Sequence, residues 1–326
     1  MGCSLLRTIV FRRTDLRSTF RGIRRCRGLF VVGAIVSCCV ACRKEVGAGG
    51  VVGVFGEMGL GPGAFSYPRA IAADPDGTVL VVDKAGRVQR FDRDGKFLAE
   101  WRMPQTEQGK PVGLTVHPDG RVFVADTHYH RVVIFDRRGH ELGSFGSQGT
   151  GAGQMLLPTD VAVDATGRVY VSEYGGNDRI TRWSADLHYL DALAEAPIEG
   201  RRLRRPAGID IDDQQNLWIA DACNHRLVRL SLEGEVLAVF GRMGRGSGEL
   251  RYPYDVDVGP RGVVMACEYG GDRLQWFTPD GQPRGTWGRS GRKPGELSAP
   301  WGATYAANGR VFVVDSLNAR VQMLRP

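Results

Sequence analysis

From about residue 51 the chain alternates short apolar runs with breaks rich in Gly, Asp, Asn and Pro. The stretch Pro206–Gly241 shows it best: apolar runs Gly208–Ile211, Leu217–Ala220, Leu227–Leu230 and Val236–Phe240 are separated by Asp212–Asn216, Asp221–Arg226 and Ser231–Glu235. Runs this short, rich in aliphatic and aromatic residues and bounded by turn formers, predict a meander of antiparallel strands. The pattern then repeats. A proline just ahead of an apolar strand recurs at Pro68, Pro111, Pro158, Pro206, Pro253 and Pro300, at intervals of 43, 47, 48, 47 and 47 residues. A four-strand unit with a period in the forties predicts an all-β fold, a β-propeller of six blades.

The expected blades are 68–101, 111–146, 158–193, 206–241, 253–288 and 300–324. The last stops after a third strand, Arg320–Leu324, while Val51–Phe55 reads as a strand with no blade of its own. The two defects are complementary, so the N-terminal strand should complete blade six and close the ring, removing an open sheet edge. Second strands such as Val79–Val82, Val169–Ser172 and Val263–Ala266 are continuously apolar, which predicts burial on both faces. Third strands alternate, as in Arg87-Val88-Gln89-Arg90-Phe91, which predicts half-burial nearer the rim. Asp74-Pro75-Asp76-Gly77, Asp92-Arg93-Asp94-Gly95 and Thr278-Pro279-Asp280-Gly281 supply tight hairpin turns. Four connections between blades open with Gly-x-x-Gly and run 12 positions to the next proline, from Gly56, Gly146, Gly241 and Gly288. No helix follows them, so they are structural glycines rather than a phosphate cradle.

Charge changes the picture little once it is located. The net charge is +7, but residues 1–45 hold ten basic and two acidic residues, leaving 33 basic and 34 acidic residues for the rest. A near-neutral propeller lacks the electrostatic footprint of nucleic-acid binding. The basic segment precedes an apolar core, Leu29–Val36, and then Cys38, Cys39 and Cys42. Basic, apolar and small-residue segments in that order predict a secretory leader over residues 1–42, too short to remain as a membrane span. Residues 43–50 form a tether. Ile35-Val36-Ser37-Cys38 resembles a bacterial lipobox by residue type, and Val40-Ala41-Cys42 fits the polarity boundary better, so Cys38 or Cys42 is the expected lipidation site. That predicts an exported protein of the cell envelope, on the outer membrane or the periplasmic or extracellular side, meeting the membrane through its anchor alone. Only Cys223 and Cys267 lie in the propeller, at different points of the repeat.

The strand-loop-strand sequence carries a further signature. Pro206-Ala207-Gly208-Ile209 followed by Trp218-Ile219-Ala220-Asp221-Ala222-Cys223-Asn224-His225-Arg226 resembles the NHL repeat, as does Val314-Asp315-Ser316-Leu317-Asn318-Ala319-Arg320. The resemblance covers about residues 51–326. It implies a propeller fold; members serve as extracellular sensor domains, as protein-interaction and RNA-binding modules and as an amidating lyase, and related propellers include lactone hydrolases.

In a ring of antiparallel blades, loops joining second to third strands share one face with the connections between blades, and that face is the expected binding surface. Its repeat-equivalent acids each precede an arginine by four to six residues: Asp83–Arg87, Asp126–Arg131, Glu173–Arg179, Asp221–Arg226, Glu268–Arg273 and Asp315–Arg320. Regular spacing marks these as structural staples. Departures from the repeat are the candidates for function. Asp160 and Asp255 stand where blades two, four and six have Gly113, Gly208 and Gly302, and the same two blades carry Glu173-Tyr174-Gly175-Gly176 and Glu268-Tyr269-Gly270-Gly271. With Arg69, Tyr254 and Trp301 they would form a pocket at the channel mouth for a protein partner or a small polar ligand, the molecule acting as a monomer. The alternative for Asp160 and Asp255 is structural, accepting hydrogen bonds from neighbouring amides. A lyase or hydrolase would need an ion at that mouth, calcium being the hard cation for Asp160, Glu173, Asp255 and Glu268, although four carboxylates supply only part of its shell. For zinc, His128, His130 and His225 share the face but occupy different repeat positions.

Overall fold

The computed structural model describes residues 50–325. The expected leader, Cys38, Cys42 and all but the last residue of the tether lie outside them. Six four-stranded antiparallel sheets stand side by side around a channel. In each of blades one to five the strands run in chain order, beginning with an inner strand: Pro68–Ala73, Gly113–Val116, Pro158–Val163, Pro206–Ile211 and Pro253–Val258. Blade six has Ala303–Tyr305 inside, then Val311–Asp315 and Arg320–Leu324, and Val51–Phe55 as its outer strand. The closing strand pairs antiparallel with Arg320–Leu324, placing Val54 opposite Gln322 and Phe55 opposite Val321. Phe55 then reaches past its own sheet: its ring lies 4.8 Å from that of Phe91 in blade one. The clasp therefore joins two blades as well as completing one.

Second strands are buried along their whole length, as in Val79–Asp83 and Val169–Glu173. Each buried Val or Leu contributes about 1.5–3 kcal/mol, which is why these runs are uniformly apolar. In blade five this strand is Val264–Glu268, entered from a short 3-10 turn at Pro260–Gly262. The third strands differ from expectation. Arg87–Phe91, Arg179–Trp183 and Arg273–Phe277 are buried except for single positions, and it is the fourth strands, such as Phe97–Arg102, that are half-exposed. The reason is face-to-face stacking of blades, which covers both faces of the third strand. Its alternating polar residues are buried with partners instead of facing water: Gln89 donates to the Ala64 carbonyl at 2.8 Å and Gln322 to the Glu296 carbonyl at 2.7 Å.

The four 12-residue connections adopt one shape. Gly56, Gly146, Gly241 and Gly288 have φ between 87° and 96°, and each is followed by a parallel bridge such as Met58 to Phe65 or Met243 to Leu250. A Cβ on Gly146 would fall 2.0 Å from the Met155 side chain, so the backbone turn and the plug beneath it both require glycine here.

Candidate functional site at the channel mouth

One face carries the connections between blades and the loops joining second to third strands, and two sets of polar contacts bind them together. The first is within each blade. The acid at the end of the second strand pairs with the arginine opening the third: Asp83–Arg87 at 2.6 Å, Asp126–Arg131 at 3.0 Å, Glu173–Arg179 at 2.6 Å, Asp221–Arg226 at 2.7 Å, Glu268–Arg273 at 2.6 Å and Asp315–Arg320 at 2.7 Å. All six acids are buried. In five blades the carboxylate also accepts the amide two residues before the blade's proline, from Ser66, Leu156, Arg204, Arg251 and Ser298. The arginines donate onward to carbonyls of the preceding connection, Arg87 to Leu60 at 2.7 Å and Arg273 to Arg245 at 2.7 Å. The arginine and the amide bonds offset part of the penalty of a buried charge, but burial still holds Asp126, Glu173, Asp221 and Glu268 above the ordinary carboxylate range. Blade two, reached by the shortest connection, lacks the amide, and one Asp126 oxygen has no partner among the described residues.

The second set runs between blades. The residues before five of the prolines, Tyr67, Leu157, Arg205, Tyr252 and Ala299, all have φ between 38° and 55°. This left-handed backbone is costly for a residue with a side chain. Three of their amides are held by the preceding blade: Leu157 donates to His130 Nδ1 at 3.3 Å, Tyr252 to His225 Nδ1 at 3.1 Å and Ala299 to Asp272 at 2.8 Å. His128 Nδ1 accepts from the Lys110 amide at 3.3 Å. The three histidines of this face are thus engaged one by one with backbone amides, and burial lowers the pKa of His130 and of His225, favouring the neutral ring that accepts.

Inside the mouth the inner strands converge. A Cβ on Gly113 would lie 2.3 Å from the Thr159 carbonyl oxygen, and one on Gly208 would lie 2.3 Å from the Asp255 carboxylate. Asp160 accepts from the Ile209 amide at 2.9 Å and Asp255 from the Ala303 amide at 2.9 Å, so each carboxylate caps the free edge of the next blade's inner strand. Asp210 and Asp257, which the sequence reading passed over, repeat the contact deeper in the bore, on Val258 at 2.7 Å and Tyr305 at 3.4 Å. The signal for them was available: Asp257 lies two residues beyond Asp255 on one strand, hence on the same face. All four touch the open bore, but protein walls them on every side and charge there is poorly hydrated. Burial, then the charge of Asp210 among lesser causes, pushes Asp160 up to about 8. Burial pushes Asp210 up to about 6. Asp255 and Asp257 are raised well above the ordinary carboxylate range by burial, reinforced by Asp160 and Asp210 respectively. The cavity that these strands enclose measures about 450 Å³.

Above the carboxylates stands an aromatic group. Tyr254 and Tyr269 stack with centroids 4.4 Å apart, and Trp301 meets them edge-on at 5.0 and 5.5 Å. Tyr67 adds a further edge contact with Trp301 at 5.9 Å. The Arg69 guanidinium lies 5.2 Å from the Trp301 ring, and that of Arg205 lies 5.0 Å from both Tyr174 and Tyr254. Thus Arg69, Asp160, Tyr174, Tyr254, Asp255, Tyr269 and Trp301 gather around one opening, joined by Tyr67 and Arg205, which the sequence reading missed. Glu173 and Glu268 instead turn into their arginine pairs. Among the described residues no three His, Cys, Asp or Glu side chains converge in a way that could hold a metal ion. Among the described residues Cys223 and Cys267 are both free thiols.

Comparison with known proteins agrees with this architecture. The NHL repeat profile matches residues 109–135 and 203–230, in blades two and four. NHL repeat-containing protein 3 of Homo sapiens is 33% identical over 133 residues, 38% of this chain and 38% of its own length; the chain spans well under half of that relative. Among solved structures, a streptogramin B lyase superposes with a TM-score of 0.61 at 16% identity, over 83% of this chain and 96% of that one. A gluconolactonase of Xanthomonas campestris superposes with a TM-score of 0.60 at 15% identity, over 80% and 86%. Identities this low speak to fold and not to activity. The chain carries NHL repeats, wound into a closed six-bladed β-propeller.

Proposed function

We propose that this protein is a binding module that engages a small polar ligand or a protein partner at the channel mouth. The observation that supports this reading is the aromatic and arginine group at the opening. Tyr174, Tyr269 and Trp301 remain partly exposed there and come from three different blades, with Arg69 and Arg205 from two more. Amphipathic aromatic rings and arginines held on a rigid rim are what recognition surfaces use for contact area at low entropic cost. We further propose that the protein is exported and held at the cell envelope by a lipid on Cys38 or Cys42; radiolabelled lipid-precursor incorporation into wild type, Cys38→Ala and Cys42→Ala distinguishes the two and would show no label if neither is used.

The test of the mouth pairs variants on opposite faces. Cross-linking in envelope extracts of the source cells, with wild type, a Tyr174→Ala/Trp301→Ala variant and an Asp119→Ala/Asp280→Ala variant altered on the opposite hairpins, should lose its bound species in the mouth variant alone. Equal recovery from both variants overturns the reading. A metal-assisted lyase or hydrolase at the same mouth is the second reading, supported by propellers of those activities sharing the fold. It requires an ion bound by the native state only, which would raise the melting temperature in calcium or zinc and lower it in chelator.

A further inference from the structure

The mouth holds two cations that no described residue neutralises. The six staple arginines each meet a carboxylate within 3.0 Å. Among the described residues neither Arg69 nor Arg205 meets one within ion-pair distance. The Arg69 side chain makes one long contact, 3.5 Å to the Pro111 carbonyl, and its buried Nε has no partner. Arg205 is presented by a left-handed residue, φ 55°, at the rim. A continuous aromatic strip connects them, from Arg205 across Tyr254 and Trp301 to Arg69, in steps of 5.0, 5.0 and 5.2 Å. The carboxylates below are not counter-ions to this pair. Asp160 and Asp255 are turned to the amides of Ile209 and Ala303, and their burial favours the neutral acid.

We infer that the mouth binds an organic oxyanion with a flat apolar body, the oxyanion drawn to the Arg69 and Arg205 guanidiniums and the body lying against the partly exposed Trp301 ring. This rests on the reading of the mouth as a binding site and assigns its ligand class. Planar guanidiniums recognise carboxylates and phosphates through paired N–H donors, and two of them with no acid between them leave the opening positively charged. An amine or metal cation entering the same space would face both guanidiniums, so the calcium ion that Asp160 and Asp255 suggest by sequence alone is disfavoured.

Calorimetric titration of the purified full chain with phenylacetate, phenyl phosphate, phenylacetamide and phenethylamine tests the charge preference on one body shape, with tryptophan fluorescence, compared between wild type and Trp301→Phe, as a second readout. The expected result is that at least one of the two anions binds about tenfold or more tightly than the amide and the amine. The phosphate arm and the carboxylate arm tell the two oxyanions apart. Arg205→Gln removes a side chain without hydrogen bonds in the described structure, so the fold should survive. It should weaken the anion about tenfold and leave the amide within about twofold, and Arg69→Lys should do the same more mildly. Preference for the amine, or equal affinity for acid, amide and amine, overturns the oxyanion while leaving a binding mouth in place. Silence with every probe overturns it too, and the cross-linking comparison of opposite faces then decides separately whether the mouth binds anything.

Discussion

A single atom decides the shape of the bore at the level of the inner ring. Gly113, Gly208 and Gly302 alternate with Asp160 and Asp255, and at Gly208 an added Cβ would meet the Asp255 carboxylate at 2.3 Å and its Cα at 2.7 Å. Gly208→Ala should therefore destabilise by about 1–3 kcal/mol through overpacking against backbone. Urea unfolding with an unchanged m-value checks this, and a midpoint equal to wild type would show that the strands can part freely. The alternation of glycine and aspartate is legible in the sequence because it breaks an otherwise regular repeat. What the sequence could not reveal is that each carboxylate is already occupied by an amide of the next blade, since that contact joins Asp160 to Ile209, residues far apart in the chain. Tyr67 and Arg205 escaped notice for a related reason. They precede their prolines, and only the left-handed backbone there turns them toward the opening.

At the scale of elements, the strand Val51–Phe55 carries more than its length suggests. It completes blade six through pairing with Arg320–Leu324 and packs Phe55 on Phe91 of blade one and on Phe65 of the connection leading to it, at 4.8 and 6.4 Å. Phe55→Ala should cost about 3 kcal/mol and should do so by loosening the seam between blades six and one. Hydrogen exchange should then quicken first in Arg320–Leu324 and Arg87–Phe91; uniform quickening in all six blades would contradict this. Closure was readable from the sequence as a leftover strand and a missing one. The burial of the third strands was not, because an alternating pattern looks the same whether its polar half meets water or, as with Gln89 and Gln322, a carbonyl of the neighbouring connection.

For the whole molecule, the acids of the bore set how stability responds to pH. The carboxyl of Asp160 is raised from an ordinary 3.8 to about 8 in the folded state. Between about pH 4 and pH 8 the unfolded chain gives up this proton while the folded chain keeps it, so the stability it contributes falls as pH rises through that window and levels off above it. Asp210, raised to about 6, acts with the same sign over the lower part of the window. Asp160→Asn keeps an oxygen for the Ile209 amide and removes the titration. Its melting temperature should match wild type near pH 4 and exceed it at pH 8 by about 2–4 °C, the response of a domain this size to about 1 kcal/mol. Parallel melting curves across that range would mean the bore hydrates its carboxylates after all.

The staples on the mouth face also bear on how such a surface can diversify. Arg179 and Arg273 grip the roots of the Glu-Tyr-Gly-Gly loops from below, and the tyrosines at the tips join this frame through their backbone amides, which donate to the Leu157 and Tyr252 carbonyls, and not through their rings. Exchanging Tyr174 or Tyr269 for other side chains would change which visitors the opening accepts without disturbing the ring, and a lineage could shift its taste in molecules one loop at a time.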